Sequence, residues 1–252
     1  MPYKHGRPVI DFSLPFRLAR ALTSFVVVPI AVFINLMQHS TRYKHRWRLY
    51  GIRRAVTVSN HTTVLDPAKI AGLVFPHLIF QTLLGATVEF PVLGTFIRLL
   101  GGVPIPRGKT SYRKLHEAGE RAFKYRRFVH FYPEGECYFY SNKIAEFKTG
   151  AFKLAADLDI PVVPLVTVFS PAKAQGRKPF FCLSLPVETL VVLDPVPPAK
   201  YIRRDEKGEI QSESVKEFAE AVRQMMQSEI ERRGGTGDFY RGRMERIKGL
   251  ND

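Results

Sequence analysis

The stretch Ser59-Asn60-His61-Thr62-Thr63-Val64-Leu65-Asp66-Pro67 sets an imidazole and a carboxylate five positions apart. On a helical turn or tight loop, that spacing lets the carboxylate hold one ring nitrogen. The tautomer is then fixed and the other nitrogen is left to accept a proton. This is the base half of a charge relay. Ser59, Thr62 and Thr63 form no G-x-S-x-G elbow, so the nucleophile has to arrive with the substrate. By themselves His61 and Asp66 fit equally well a histidine capped by a carboxylate for structural reasons, and only further motifs give the spacing a chemical meaning. Cys137 is a second candidate nucleophile, but Glu136 beside it raises a thiol pKa rather than lowering it, which argues against a covalent intermediate.

The elements that must position these residues read as an α/β domain. Ala55–Ser59 is a β-branched run that stops abruptly at Asn60-His61, as a strand delivering its carboxyl end to a loop does. Residues 128–132 (FVHFY) run in the same way into Pro133-Glu134-Gly135, and residues 162–169 form a third strand. Ligand sites in open α/β sheets gather at the carboxyl ends of strands, so the first two ends are expected to meet at one crevice. Apolar periodicity predicts helices over 111–127 and 148–159, and a long amphipathic one through Val215, Phe218, Ala219, Val222, Met226 and Ile230. The expected fold is a mixed, mostly parallel sheet flanked by helices. Residues 234–252, polar and glycine-rich at their start, read as a loosely held tail.

Residues 21–41 contain no Lys, Arg, Asp or Glu, a run long enough to cross a bilayer. Pro29 interrupts it, Asn35, Gln38 and His39 dilute its end, and basic residues stand on both sides: Arg17 and Arg20 before, Arg42, Lys44, Arg46 and Arg48 after. Charge therefore sets no orientation across a membrane, whereas a helix pair lying in one interface satisfies both flanks. No A-x-A-like site follows, so the segment reads as retained rather than as a signal peptide. The net charge of +15 is concentrated here, with ten basic residues in 1–54 against the single acid Asp11, which implies an anionic partner. Basic residues interleaved with stacking aromatics, or a reader motif, would mark nucleic acid; neither is present, which leaves an anionic membrane surface. The domain reading is a basic, apolar anchor over 1–50 and a catalytic domain over 51–252. Cys137 and Cys182 suggest neither a disulfide framework nor a zinc site, consistent with a reducing compartment and so with the cytoplasmic face of a membrane.

Further blocks follow His61 and Asp66 in order: Gly102-Val103-Pro104-Ile105-Pro106-Arg107, Pro133-Glu134-Gly135, and Val163-Pro164-Leu165. This ordered set, over roughly residues 51–170, resembles the glycerophospholipid acyltransferase family, whose well-known members acylate 1-acylglycerol-3-phosphate. The resemblance implies that His61 is the general base for an acceptor hydroxyl and that Asp66 orients it. It implies further that Arg107 grips the acceptor phosphate, that Glu134 and Gly135 shape the acceptor site, and that the Val163–Leu165 block lines the acyl-donor side. Lys148, in Phe147-Lys148-Thr149-Gly150, matches a frequent family block and would supply a second phosphate contact. The co-substrate would be acyl-CoA or acyl-carrier protein, with no metal or other cofactor. Many members continue P-E-G with Thr-Arg; here Glu136-Cys137 stand instead, which leaves the acceptor open between 1-acylglycerol-3-phosphate, glycerol 3-phosphate and another lysolipid. Two other classes remain: a lipid hydrolase that uses the same pair to activate water, and a non-catalytic membrane-binding protein.

Overall fold

The computed structural model describes residues 10–83, 92–105, 111–171 and 186–245. Seven strands among them form one sheet: β1 Arg42–Lys44, β2 Ala55–Ser59, β3 Phe80–Leu83, β4 Gly102–Pro104, β5 Phe128–Phe131, β6 Val162–Ser170 and β7 Val187–Val192. Their order is β1-β7-β6-β2-β5-β3-β4, and every neighbouring pair is parallel except the antiparallel β6 and β7. The central strands are buried along their whole length, which is why they read as continuous apolar or β-branched runs rather than alternating ones.

Six helices accompany the sheet: α1 Leu14–His39, α2 Asp66–Val74, α3 Leu93–Leu99, α4 Ser111–Phe123, α5 Gly150–Asp157 and α6 Ser212–Arg232. Leu115 and Ala122 of α4, Phe152 and Leu154 of α5, and Phe218, Val222 and Met226 of α6 share one core with Val56, Val58, Val129 and Phe131 of the sheet. On the opposite face, Ile70, Leu73 and Val74 of α2 pack with Ala55, Phe128, Val163, Leu165 and Leu190. The expected α/β architecture is present. The α5 helix begins two residues later than its periodicity suggests, and the Lys148 N–H before it donates to the Pro133 carbonyl at 2.8 Å.

The N-terminal segment departs from expectation in three ways. It is one helix of 26 residues and not a pair. Pro29 is exposed, so the carbonyl that its ring deprives of a partner faces outward, while Ser24 and Val28 before it and Asn35 after it are buried against the domain. Second, β1 is the sheet's edge strand, paired with β7, so the expected boundary at residue 50 cuts through the α/β domain rather than preceding it. Third, the basic flanks are largely committed to the chain itself. Arg20 is buried over the Phe80 ring and donates to the Ile79 carbonyl. Arg46 donates to the Phe75 carbonyl at 2.6 Å, and Arg48 to the Val192 carbonyl at 2.9 Å while pairing with Asp194.

The α1 helix lies on α2 and α3. Gly72 permits the close approach, since a β-carbon there would collide with the Val32 side chain. The tail also differs from its expected looseness: the Phe139 N–H donates to the Gly242 carbonyl, the Arg241 N–H to the Phe139 carbonyl and the Met244 N–H to the Cys137 carbonyl. Residues 241–244 therefore brace the loop after β5.

Candidate active site

Parallel pairing of β2 with β5 places the residues after Ser59 beside those after Phe131. Asn60 fixes the first exit: its side-chain amide donates to the Thr167 carbonyl and its oxygen accepts from the Thr167 N–H, both at 2.9 Å. One side chain thus continues the β2–β6 ladder for a residue beyond the strand and turns His61 out of the sheet. The loop is held further by the Tyr138 N–H to the His61 carbonyl at 2.8 Å and the Tyr140 N–H to the Thr62 carbonyl at 3.1 Å.

Asp66 opens α2, and its carboxylate closes the loop onto itself. It accepts from the Thr62 N–H at 2.5 Å, the Thr63 N–H at 2.9 Å, the Thr63 hydroxyl at 2.8 Å and Nδ1 of His61 at 2.8 Å. An acceptor-only carboxylate on Nδ1 places the hydrogen there, so Nε2 carries the lone pair. Burial pushes the Asp66 carboxyl up, but Lys69 and His61 outweigh it and hold the group well below the usual carboxylate range. The imidazole lies flat on Tyr132, with centroids 4.2 Å apart and planes at 27°. Tyr132 is held edge-on by His130, whose own ring is fixed by Thr57 and Ser59 at 2.9 and 3.1 Å; burial pushes His130 down to about 3, so it stays neutral.

Glu134 is brought to the site, but its carboxylate faces the backbone. One oxygen accepts from the His61 N–H and the other from the Ala145 N–H, each at 2.9 Å. Burial, with a smaller contribution from Asp66, raises its pKa to about 7 against the pull of these two amides. Both oxygens face donors, so the ionised form is the one the geometry fits. Glu134 therefore positions the general-base candidate from behind. Gly135 has φ +72°, and the side chain of Lys148 lies across its α-carbon where a β-carbon would stand. Lys148 is exposed, with its side chain lying at the mouth of the β5 exit.

One expectation is not met by position. Val163 and Leu165 are fully buried in the core beneath α2 and line no cleft. Arg107 lies outside the described residues. Burial, with Asp66 and Glu134 nearby, pushes the Cys137 thiol up, which agrees with discounting it as a nucleophile.

Sequence reading missed Lys69 and Glu188. Lys69 Nζ lies 2.6 Å from Asp66 Oδ1 and also bonds Glu188 Oε1, and all three residues are at most 2% exposed. Glu188 continues to the Thr41 hydroxyl at 2.8 Å and the Asn35 amide at 3.3 Å. One signal was legible, a lone lysine one turn after Asp66 in an otherwise apolar helix. Its partner, 119 residues away, was not.

Comparison with known proteins bears on the family and the fold. Residues 39–168 match the family model described as acyltransferase. The human 1-acyl-sn-glycerol-3-phosphate acyltransferase beta is 33% identical over 155 residues, 60% of this chain and 53% of that protein. The 1-acyl-sn-glycerol-3-phosphate acyltransferase of Saccharomyces cerevisiae is 32% identical over 114 residues, 44% of this chain and 37% of that one. The matches thus span about half and little more than a third of those relatives' lengths. In fold, the chain is similar to the crystal structure of the 1-acyl-sn-glycerophosphate (LPA) acyltransferase, PlsC, from Thermotoga maritima. The TM-score is 0.54 at 17% identity, covering 88% of this chain and 96% of that one.

Proposed function

This chain belongs to the acyltransferase family, and on that premise we propose that it moves a fatty acyl chain from an acyl thioester to the free hydroxyl of a lysophospholipid, with 1-acylglycerol-3-phosphate as the acceptor. The observation that carries the reading is the His61–Asp66 pair at the exit of β2, with Nδ1 engaged and Nε2 left basic. Nε2 takes the acceptor's hydroxyl proton as its oxygen attacks the thioester carbonyl. The new C–O bond forms, the C–S bond breaks on collapse of the tetrahedral intermediate, and the proton passes from His61 to the departing thiolate. No covalent acyl-enzyme is required, in keeping with the raised Cys137 thiol.

Arg107 is assigned the grip on the acceptor phosphate, and Lys148 over Gly135 supports recognition of an anionic headgroup as the second contact. The donor is acyl-CoA or acyl-carrier protein, and the chemistry calls for neither a metal nor another cofactor. The chain works at a membrane surface, on its cytoplasmic face. Here the support comes from α1 rather than from charge. Leu14, Leu18, Leu22, Phe25, Val26, Ile30 and Phe33 form an exposed stripe, while Arg20, Ser24 and Asn35 are turned inward. Such an inside-out helix, docked lengthwise on α2 and α3, supports the reading that it lies in the interface.

Purified protein incubated with a lysolipid panel and both donor types, with products weighed, should yield the diacyl product most rapidly from 1-acylglycerol-3-phosphate. An Arg107→Ala variant should raise KM for that acceptor about tenfold or more and leave KM for the donor alone. Equal use of neutral lysolipids would remove the phosphate assignment, and release of free fatty acid alone would replace transfer by hydrolysis.

A further inference from the structure

We infer that Lys69 and Glu188 are positioning residues of the reaction: a buried, alternating charge array in which Lys69 keeps Asp66 ionised beneath His61 and Glu188 sets how readily His61 takes its proton. The inference rests on the acyl-transfer reading. Asp66, Lys69 and Glu188 are joined in line, Lys69 Nζ contacting Asp66 Oδ1 at 2.6 Å on one side and Glu188 Oε1 on the other. Helical spacing alone would allow Lys69 to serve Asp66, as an i, i+3 neighbour. The buried Glu188 is not explained by that pair, because a single carboxylate already neutralises a single lysine.

The array explains it when His61 is included. At rest, with His61 neutral, two carboxylates and one ammonium leave one net negative charge in an interior where field effects are strong. A proton on Nε2 brings the four groups to neutrality. The array is therefore complementary to the protonated imidazole that forms as the hydroxyl gives up its proton and attacks the thioester, and the excess charge it needs comes from Glu188. Anchoring is supplied by α1 and the residues after it: Glu188 Oε2 accepts from the Thr41 hydroxyl and the Asn35 amide, and the Asn35 amide also donates to Thr41 at 2.6 Å.

Other titratable groups face the array from every side. They are His130 on β5, Tyr132, Glu134 and Cys137 in the loop that follows, Tyr43 on β1, and Arg46 after it. None is altered in the variants that test the proposal, and Tyr43 and Cys137, which also feel the charge of Lys69, are both pushed upward by burial, away from the range in which an imidazole titrates.

The signs are opposite for the two residues. Removing the Lys69 cation leaves His61 and Asp66 nearer to uncompensated negative charge, and they take up a proton more readily. Lys69→Met should therefore move the acid limb of kcat/KM upward, by up to about one to three pH units, the range for the loss of a nearby opposite charge. Glu188→Gln should move it downward, by less because Glu188 is one residue further away. The double variant Lys69→Met/Glu188→Leu removes a cation and an anion together and should return the limb to near its wild-type position. A role in packing alone would lower stability in all three without this alternation. The double variant also guards against a Lys69→Met protein that fails to fold.

The direct readout is the titration of the His61 ring, followed by carbon-13 NMR of histidine-labelled protein in detergent micelles and assigned by its loss in His61→Gln. Midpoints that rise in Lys69→Met, fall in Glu188→Gln and return in the double variant support the array. Midpoints that coincide in all four proteins, or shift in the same direction in both single variants, overturn it. Because this measurement needs no turnover, a wild-type protein that transfers no acyl chain would defeat the acyl-transfer reading separately.

Discussion

The carboxyl end of the sheet and the outer face of α1 reverse the ordinary distribution of polarity in opposite directions. Around His61, Asp66, Lys69, Glu134 and Glu188 are withdrawn from water. Every one of those charges has partners: Asp66 accepts from backbone, hydroxyl, imidazole and ammonium, and Glu134 from two amides. Along α1 it is apolar surface that is left out, with Leu22 72% exposed and Phe33 60% exposed. The first region is satisfied internally and so has one geometry, as preorganised chemistry demands. The second is unsatisfied and calls for a surface outside the molecule. They touch where Asn35, near the end of α1, and Thr41, just beyond it, meet Glu188, and where Val64, in the loop between His61 and Asp66, stands 63% exposed.

Because the two regions use different physics, they should fail separately. The largest effect is expected from His61→Ala, which should lower kcat/KM by roughly 10³–10⁴-fold, as the loss of a positioned general base does, while sedimentation with vesicles stays at the wild-type level. A parallel loss of vesicle binding would show that the regions are one unit. The converse variant, Leu22→Glu/Ile30→Glu, removes two exposed apolar side chains worth about 1.5–3 kcal/mol each when buried. It should release most of the protein from vesicles and depress turnover of bilayer-embedded lysolipid, yet leave turnover of a short-chain, monomeric acceptor within about twofold. Equal losses on both acceptors would mean that α1 supports the fold rather than the surface. The smallest effect belongs to Glu134→Gln. Its amide can still accept one N–H but meets the other with a donor, so kcat should fall about tenfold through misplacement of the His61 backbone, with KM for either substrate little changed. A rise in acceptor KM instead would return Glu134 to the acceptor-facing role that the resemblance implied.

What could be read from the sequence follows the range of the interaction concerned. β2 was legible to the residue, since Ala55–Ser59 is a short β-branched run bounded by Asn60. The reach of Asp66 to His61 was legible as well, because five residues of one loop suffice for it. Adjacency of the β2 and β5 exits followed from a general rule for α/β sheets rather than from any residue, and the parallel pairing shows it. Interactions across long chain separations were not legible. Asn60 to Thr167, His61 to Glu134 and Lys69 to Glu188 are each made by residues with no local pattern to announce them. The continuity of α1 through Pro29 was misread because proline argues locally for a break, whereas docking of Ser24, Val28 and Asn35 holds the helix on both sides. The basic flanks were misread for a related reason: composition reports charge, not the direction in which Arg20, Arg46 and Arg48 point.

The central claim is that His61, oriented by Asp66, activates an acceptor hydroxyl for direct acyl transfer. It is tested most directly by following a labelled acyl chain from its thioester in the presence of 1-acylglycerol-3-phosphate. The label should appear as an ester on the acceptor's free hydroxyl, in one step and without label retained on the protein, and should stay on the thioester when His61→Ala is used. Label recovered as free fatty acid, trapped on the protein, or transferred at an undiminished rate by His61→Ala would contradict the account.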